Sequence, residues 1–419
     1  MTETTLAGII FIVTYALIVT ERIDRTIAAL LGGLAMILLR IINQESAFEH
    51  VDWNVIFLLA GMMMIAHLLS ETGAFQWLAV RAVQLGNRQP FRILILLSLV
   101  TAVASAALDN VTVVVLIAPV TIYIAGNLGI SPIPFLVAEV LASNIGGAAT
   151  LIGDPPNILI ASAAHIDFVT FAENMTLPVI LSLLAFIPLA YMVFNKELVV
   201  EPGHRPRVSS LENLITDPAL LRKSLIVIGA VLVAFFFHGT LHLEPATIAL
   251  LGGTVLMLWS GKEPHHVLQH IEWNTLFFFI GLFITVESIV EVGIIEAAAD
   301  QALAVTGGSV PLTSMLVLWL SALASGIVDN IPYTATMIPL IKNLGADGLP
   351  IDNLWWALAL GADFGGNLTL VGASANVVVA SLAGRSGYNI SFGRFLRYSV
   401  LITLVSMIIS TVYIWLRYL

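Results

Sequence analysis

Two segments of this chain are copies of one another, and each sets a carboxylate beside an amide inside an apolar run. Residues 105–119 read Ser-Ala-Ala-Leu-Asp-Asn-Val-Thr-Val-Val-Val-Leu-Ile-Ala-Pro, and residues 325–339 read Ser-Gly-Ile-Val-Asp-Asn-Ile-Pro-Tyr-Thr-Ala-Thr-Met-Ile-Pro. Asp109-Asn110 recurs as Asp329-Asn330, and Pro119 as Pro339, at an offset of 220. A charged side chain at bilayer depth is costly unless it faces a protein interior or a wet cavity. A chain that does this twice, at matched places, must fold so that both pairs reach a shared polar interior.

The surrounding composition makes that interior a membrane protein's. The chain of 419 residues is 58% hydrophobic and 11% charged, against about 25% charged in ordinary soluble domains. Its mean hydropathy is +0.97. Apolar runs of roughly 18 residues or more recur, enough to cross a hydrocarbon core of about 30 Å. Most of them lack the polar face that a surface helix of a soluble protein shows. There is no cysteine, which excludes disulfides, thiolate metal sites and cysteine catalysis. The net charge of −10 leaves no basic patch for nucleic acid. The first apolar segment, about 6–19, lacks a basic stretch before it and reads as a mature helix, not a cleaved signal.

The repetition extends well beyond the two dipeptides. Ala29-Leu30-Leu31-Gly32-Gly33 matches Ala249-Leu250-Leu251-Gly252-Gly253, Trp53-Asn54 matches Trp273-Asn274, and Gly61 matches Gly281. Glu71-Thr72-Gly73 aligns with Glu291-Val292-Gly293 at the same offset. After a single-residue deletion the offset is 219: Gly146-Gly147 meets Gly365-Gly366, Thr150-Leu151 meets Thr369-Leu370, Gly153 meets Gly372, and Asn157 meets Asn376. This predicts two repeats, 1–195 and 224–419, joined by a polar, proline-bearing linker over 196–223 with Pro202, Pro206 and Pro218.

In the first repeat helices are expected at about 6–20, 26–41, 54–70 and 174–194, with a short amphipathic piece at 75–86. A helical hairpin over about 91–126 is interrupted at Asp109-Asn110. A helix over about 134–163 is broken at Asn144-Ile145-Gly146-Gly147 and again at Gly153-Asp154-Pro155-Pro156-Asn157. The second repeat follows at about 224–240, 246–260, 274–290, a hairpin over 311–344, a broken helix over 354–382, and 396–417. The expected fold is therefore all-α and polytopic: two inverted repeats of five transmembrane helices, each with one re-entrant hairpin and broken helices. Sorting the 17 Lys and Arg by the positive-inside rule supports it. With hairpins that do not cross and a cytoplasmic linker, Arg40, Lys342 and Arg417 fall outside and every other basic residue falls inside. Both termini then face outward from a plasma (inner) membrane.

Inverted repeats with broken helices mark secondary transporters, whose sites lie near the midplane. Irregular backbone at that depth is tolerated only inside protein or along a wet cavity. Broken helices expose N–H groups at one end and C=O groups at the other, and glycine permits close backbone approach. The expected substrate contacts are Asn110, Asn144, Gly146, Gly147, Asn157, Asn330, Gly365, Gly366, Asn367 and Asn376, with hydroxyls from Thr112, Thr150, Thr369 and Ser374. Proton or ion coupling is expected at Asp109, Asp154, Asp329, Asp363 and Glu139. Asp154 aligns with Ala373, Asp363 with Asn144, and Glu139 with Leu358, so each repeat carries carboxylates the other lacks. A carboxylate in low dielectric can exchange a proton near neutrality. The competing reading makes the tip aspartates helix N-caps, and the two roles are compatible. His165, His238, His242, His265, His266 and His270 read as interfacial residues at helix ends, Met62-Met63-Met64 as packing, and Trp355-Trp356 as an aromatic belt. No metal site and no cofactor are expected.

At Leu108–Thr121 and the following Ser-Asn-Ile-Gly-Gly-Ala-Ala-Thr-Leu-Ile-Gly-Asp-Pro-Pro-Asn run (143–157), the sequence resembles the ion transporter superfamily, in its branch of arsenite/antimonite permeases and the melanosomal P protein. The resemblance spans nearly the whole chain. It implies a scaffold and a mobile transport part, with the hairpin tips meeting the broken helices at the substrate. The sodium-coupled dicarboxylate branch carries Ser-Asn-Thr at its tips. Here the tips are Asp109-Asn110-Val111 and Asp329-Asn330-Ile331, a departure from that branch. Without the long hydrophilic N-terminal extension of the P protein, the resemblance implies a compact prokaryotic permease.

The expected activity is efflux of arsenite and antimonite by proton antiport. Arsenite is an uncharged trihydroxide, and Asn110, Asn330 and glycine backbone suit its hydroxyls without thiols. Asp154 or Asp363 would carry the proton. The alternatives are a sodium (cation)/proton antiporter with Asp109, Asp154, Asp329 and Asp363 as a cage, and a passive anion channel. An intramembrane aspartyl protease needs Gly-x-Gly-Asp, and Leu151 stands where its first glycine belongs. Expected partners are the small inorganic substrate, protons and the lipid bilayer. A soluble ATPase partner is left open, and no nucleic acid is expected.

Overall fold

The computed structural model describes residues 2–20, 22–87, 89–198 and 214–419. Most of the expected linker, including Pro202, Pro206, Arg205 and Arg207, lies outside the described residues, as does Arg88. Among the described residues the chain is helical throughout, without strands.

The first repeat contains α1 (Glu3–Thr20), α2 (Arg25–Leu38), α3 (Gln44–Glu49), α4 (Trp53–Ser70), α5 (Ala74–Leu85), α6 (Pro90–Ala107), α7 (Asn110–Leu128), α8 (Ile133–Gly147), α9 (Pro155–Ala164) and α10 (Phe168–Phe194). The second contains α11 (Pro218–Leu241), α12 (Pro245–Ser260), α13 (Pro264–Leu268), α14 (Trp273–Glu291), α15 (Ile294–Thr306), α16 (Val310–Ser325), α17 (Asn330–Ala346), α18 (Asp352–Gly366), α19 (Ser374–Arg385) and α20 (Phe392–Tyr418). Among the described residues eight helices are long and apolar enough to cross a membrane, and α2, α8, α12 and α16 are shorter apolar helices.

The helix ends follow local chemistry. Asp24, Asp52, Asp167 and Asp217 each accept a backbone N–H of the first turn they cap, which satisfies donors the helix cannot. Prolines open α6, α11, α12 and α13, where a missing N–H costs nothing. Asp167 also explains why α10 begins at Phe168 and not near 174: Thr170 N–H donates to its carboxylate at 2.8 Å, so the helix is nucleated ahead of the polar Glu173-Asn174. The short α3 and α13 and the amphipathic α15 were not anticipated.

The two repeats interlock at four scaffold helices, α2 against α14 and α4 against α12. Thr26 Oγ1 donates to Asn274 O at 3.0 Å, Gly281 abuts Ala29, and Gly33 abuts Ile284. Partners advance together, so α2 and α14 run parallel. α14 is the copy of α4, the membrane helix that follows α2, and successive crossings alternate in direction, so the parallel α2–α14 pair makes the second repeat inverted. The same register recurs in α4 and α12, where Gly61 abuts Ala249 and Gly253 abuts Met64. Against this scaffold lies a second group of helices. The arm α6 packs on α8, and α16 on α18, while α7 packs on α19 and α17 on α9 across the repeats.

Candidate functional site

The hairpin tips and the helix breaks meet. Asn110 N–H donates to Gly153 O at 3.2 Å, and Asn330 N–H donates to Gly372 O at 3.1 Å. The two bonds are copies of each other, one per repeat. Gly146 and Gly365 let the hairpin arms come this close: a Cβ at Gly365 would lie 2.5 Å from the Ala322 backbone, and one at Gly146 would collide with Ala102. Gly147 and Gly366 abut Gly153 and Gly372 inside the breaks. Thr150 Oγ1 donates to Ala106 O at 2.6 Å and Thr369 Oγ1 to Gly326 O at 2.5 Å. These hydroxyls, expected at the substrate, are engaged in fastening each break to its hairpin.

Asp154 is the centre. It occupies the N-cap position of α9 yet its side chain accepts no capping bond. Instead Oδ2 accepts from Asn110 Nδ2 at 2.7 Å and Oδ1 from Asn330 Nδ2 at 3.3 Å. One carboxylate, 1% exposed, thus holds both tips. Asp154 therefore caps no helix, whereas the tip aspartates do. Asp109 accepts from Thr112 N and Thr112 Oγ1, both at 2.8 Å, and Asp329 accepts from Ile331 N at 3.0 Å.

The tips differ in one respect. Asp329 has φ 68, a conformation costly for a side chain with a Cβ and held only where neighbours enforce it. Those neighbours are Ser374 Oγ, which donates at 2.8 Å, and Arg25 Nη1 at 3.5 Å. Arg25 also donates to Ser374 Oγ and stands over the Phe278 ring, 5.4 Å from its centroid. The sequence reading used Arg25 only as a topological charge. Glu272, at the N-cap of α14, interacts electrostatically with Asp109 and Arg25 and was also missed. Burial pushes the Glu272 carboxyl up, and the Asp109 charge adds to that.

An amide chain runs beneath the tips. Asn144 Oδ1 accepts from Asn110 at 3.2 Å, while Asn144 Nδ2 donates to Asn367 Oδ1 at 2.9 Å and Asn376 Oδ1 at 3.0 Å. Asn376 Nδ2 donates to Gly366 O and Thr369 O, both at 2.9 Å. Asn157 makes the matching bonds to Gly147 O and Thr150 O. Asp363 is fully buried, and the Asn157 side chain is the hydrogen-bonding group beside its carboxylate. It acts electrostatically on Asp154 together with Asp109 and Asp329. Glu139 stands apart: Thr121 Oγ1 donates to it at 2.7 Å, and it lies on α8 more than a full turn before Asn144. All the other site residues expected from sequence line the tips or the breaks.

Four helix N-termini, those of α7, α9, α17 and α19, converge here, each worth about half a positive charge. With Arg25 they offset four carboxylates only in part. A cavity of about 550 Å³ borders the far side, lined by Leu151, Ile158, Ser162, His165, His238 and His242 among others.

Residues 15–361 match the family described as Citrate transporter (CitMHS). An uncharacterized transporter of Mycobacterium tuberculosis is 48% identical over 98% of this chain and 97% of its own length. The P protein of Homo sapiens is 36% identical over 99% of this chain, which spans 60% of that protein. The crystal structure of the YdaH transporter of Alcanivorax borkumensis, described as having an unusual topology, superposes with a TM-score of 0.56 at 18% identity, covering 90% of each chain. That likeness speaks for the fold. The superfamily and the P-protein likeness read from sequence are thereby matched, and none of these names mentions arsenite or antimonite.

Proposed function

The chain belongs to the CitMHS citrate transporter family, and from that premise we propose a secondary active transporter that couples a small, oxygen-rich solute to protons carried by Asp154 and Asp363. The observation that supports this is the pair of bonds from Asn110 and Asn330 to Asp154. A change in the charge of one carboxylate alters the grip on both hairpin tips at once. Asp363, fully buried beside the Asn157 side chain and with no cation against it among the described residues, is the second group that a proton or cation must neutralise, because a buried charge is costly. The linker face is the cytoplasmic one by its basic residues.

Citrate, which the family description names, is the first solute to test. The site keeps a negative excess, so citrate enters in protonated or cation-neutralised form. Arsenite and antimonite are a second reading, favoured by the run of uncharged amides through Asn110, Asn144, Asn367 and Asn376: a neutral trihydroxide needs donors and acceptors without net charge.

Purified protein in vesicles carrying an internal pH dye tests the proposal, with gradients of citrate, arsenite, antimonite or sodium imposed in turn. One of the three oxygen-rich solutes should drive proton movement, and Asp154→Asn should lower the coupled flux by at least about tenfold. Proton flux driven by sodium alone points to cation antiport instead. Solute flux that follows voltage with no proton movement refutes the proposal.

A further inference from the structure

Away from the transport site, three histidines come together where the end of α4 in the first repeat meets α13 and the turn after it in the second. One ring nitrogen from each of His67, His266 and His270 lies within 4.8 Å of the others. His67 Nε2 is buried and has no hydrogen-bond partner among the described residues. It stands 3.6 Å from Glu71 Oε1, and its ring stacks on His270 at 3.9 Å between centroids. His270 Nδ1 is 2.7 Å from His266 O. A carbonyl only accepts, so Nδ1 carries the hydrogen and Nε2 of the neutral ring keeps its lone pair. That is the second-sphere bond that orients a ligating imidazole. His266 Nε2 reaches Glu71 Oε1 at 2.6 Å, and Lys262 Nζ reaches Glu71 Oε2 at 3.1 Å.

The repeat supplies the control. At the matched positions of the opposite face stand Ser46, His50 and Glu287 in place of His266, His270 and His67. There His50 Nε2 pairs with Glu287 Oε1 at 3.4 Å, an ordinary acid–imidazole contact. On the linker face the acid's place is taken by a third imidazole with a free nitrogen. A buried imidazole nitrogen without a partner is a poor way to finish a surface contact, and it leaves a lone pair for a cation.

We infer that His67, His266 and His270 form a binding site for a divalent d-block cation of the zinc type, which clips α4 to α13, with Glu71 as the carboxylate that holds His266 in place. Three imidazole nitrogens match that metal's preference for tetrahedral N and O ligands, with water as the fourth, and a carboxylate bonded to a ligating imidazole is its usual outer partner. Tetrahedral Zn–N bonds of about 2.0–2.1 Å set the nitrogens about 3.3 Å apart, so the nitrogens close by up to about 1.5 Å while the stack of His67 on His270 opens, both by rotation of the half-buried His266 and the exposed His270. Lys262, beside the acid and 39% exposed, swings into solvent as the cation replaces its charge. The clip joins the two repeats at the scaffold and takes no part in the site at Asp154.

Tag-free protein titrated with Zn²⁺ alone, with bound metal counted after dialysis, tests the inference. One Zn²⁺ per chain is expected, with a melting temperature that climbs as Zn²⁺ is added, and Co²⁺ substitution should give the visible bands of a tetrahedral ion. His67→Gln and His270→Gln should each weaken binding by at least about tenfold, Lys262→Met should tighten it, and His165→Gln should leave it unchanged. A metal-free melting curve reports whether each variant folds, and His266→Gln replaces any that does not. Failure to retain Zn²⁺, or equal affinity in the histidine variants, overturns the inference.

Discussion

Asn144 can only be an amide. Asn376 uses both hydrogens of its side chain on Gly366 O and Thr369 O, so its oxygen must face Asn144 and needs a donor there. Asn367 is fixed likewise by its bond to Leu141 O at 3.2 Å. Asn144→Asp would copy the residue that the other repeat places at this position, Asp363, yet it would leave both acceptors without a donor. A buried group so stranded costs about 1–3 kcal/mol. The variant should lose several degrees of melting temperature in detergent and most of its transport. A variant as stable as the parent would show that the amides reorient freely. This asymmetry between Asn144 and Asp363 was visible in the aligned repeats, as was that between Asp154 and Ala373. Arg25 against Pro245 and His67 against Glu287 are asymmetries of the same kind. They escaped notice because they sit at the ends of unbroken scaffold helices, where a charged or imidazole side chain reads as an interfacial residue. What sequence could not supply was that the linker-side end of α2 reaches a hairpin tip.

Among the elements, the scaffold depends on two glycines that the repeat pairs, Gly61 and Gly281. A Cβ at Gly281 would sit 2.5 Å from the Ala29 carbonyl carbon, and one at Gly61 would strike the Ala249 backbone. Neither obstacle is a flexible side chain, so the helices themselves must part. Overpacking of this kind costs about 1–3 kcal/mol, and small residues are what allow membrane helices such close approach. Gly61→Ala and Gly281→Ala should each lower the thermal stability of the purified protein. Gly229→Ala, with nothing within 4 Å, should not. If Gly281→Ala melts like the parent, α2 and α14 are not in the contact described. The long apolar helices were legible because hydrophobicity over a membrane-spanning length is a strong signal. The short α3 and α13 were not: a piece of 5 or 6 residues has too few positions to show a period, and its place is set by the turn it closes.

At the scale of the molecule, the two repeats obey one symmetry in sequence and break it in space. On the linker face Arg25, at the start of α2, touches Ser374 at the break itself. On the other face Asp52, at the start of α4, meets Ser162 Oγ at 2.5 Å. Ser162 lies eight residues beyond Asp154, and at 1.5 Å per helical residue that is roughly 12 Å along α9. The hairpins and broken helices are therefore displaced as a group toward the linker side of the scaffold. Exchanging the roles of the repeats yields the opposite displacement, with the matched pair, Glu272 and Ser381, brought together as Asp52 and Ser162 are now. The chain has no cysteine of its own, so pairs can be installed without interference. Asp52→Cys/Ser162→Cys should oxidise readily in the resting protein, read as two thiols lost to maleimide–polyethylene glycol. Glu272→Cys/Ser381→Cys should oxidise only as the protein visits its other state, faster when a solute gradient drives turnover. Bridgeable Cα atoms lie within about 7 Å, so neither pair can form in the state that favours the other. Each bond should stop transport, and a reductant should restore it. If the Glu272/Ser381 pair forms as fast as the Asp52/Ser162 pair in resting protein, or never forms during turnover, the two states are not related by exchange of the repeats.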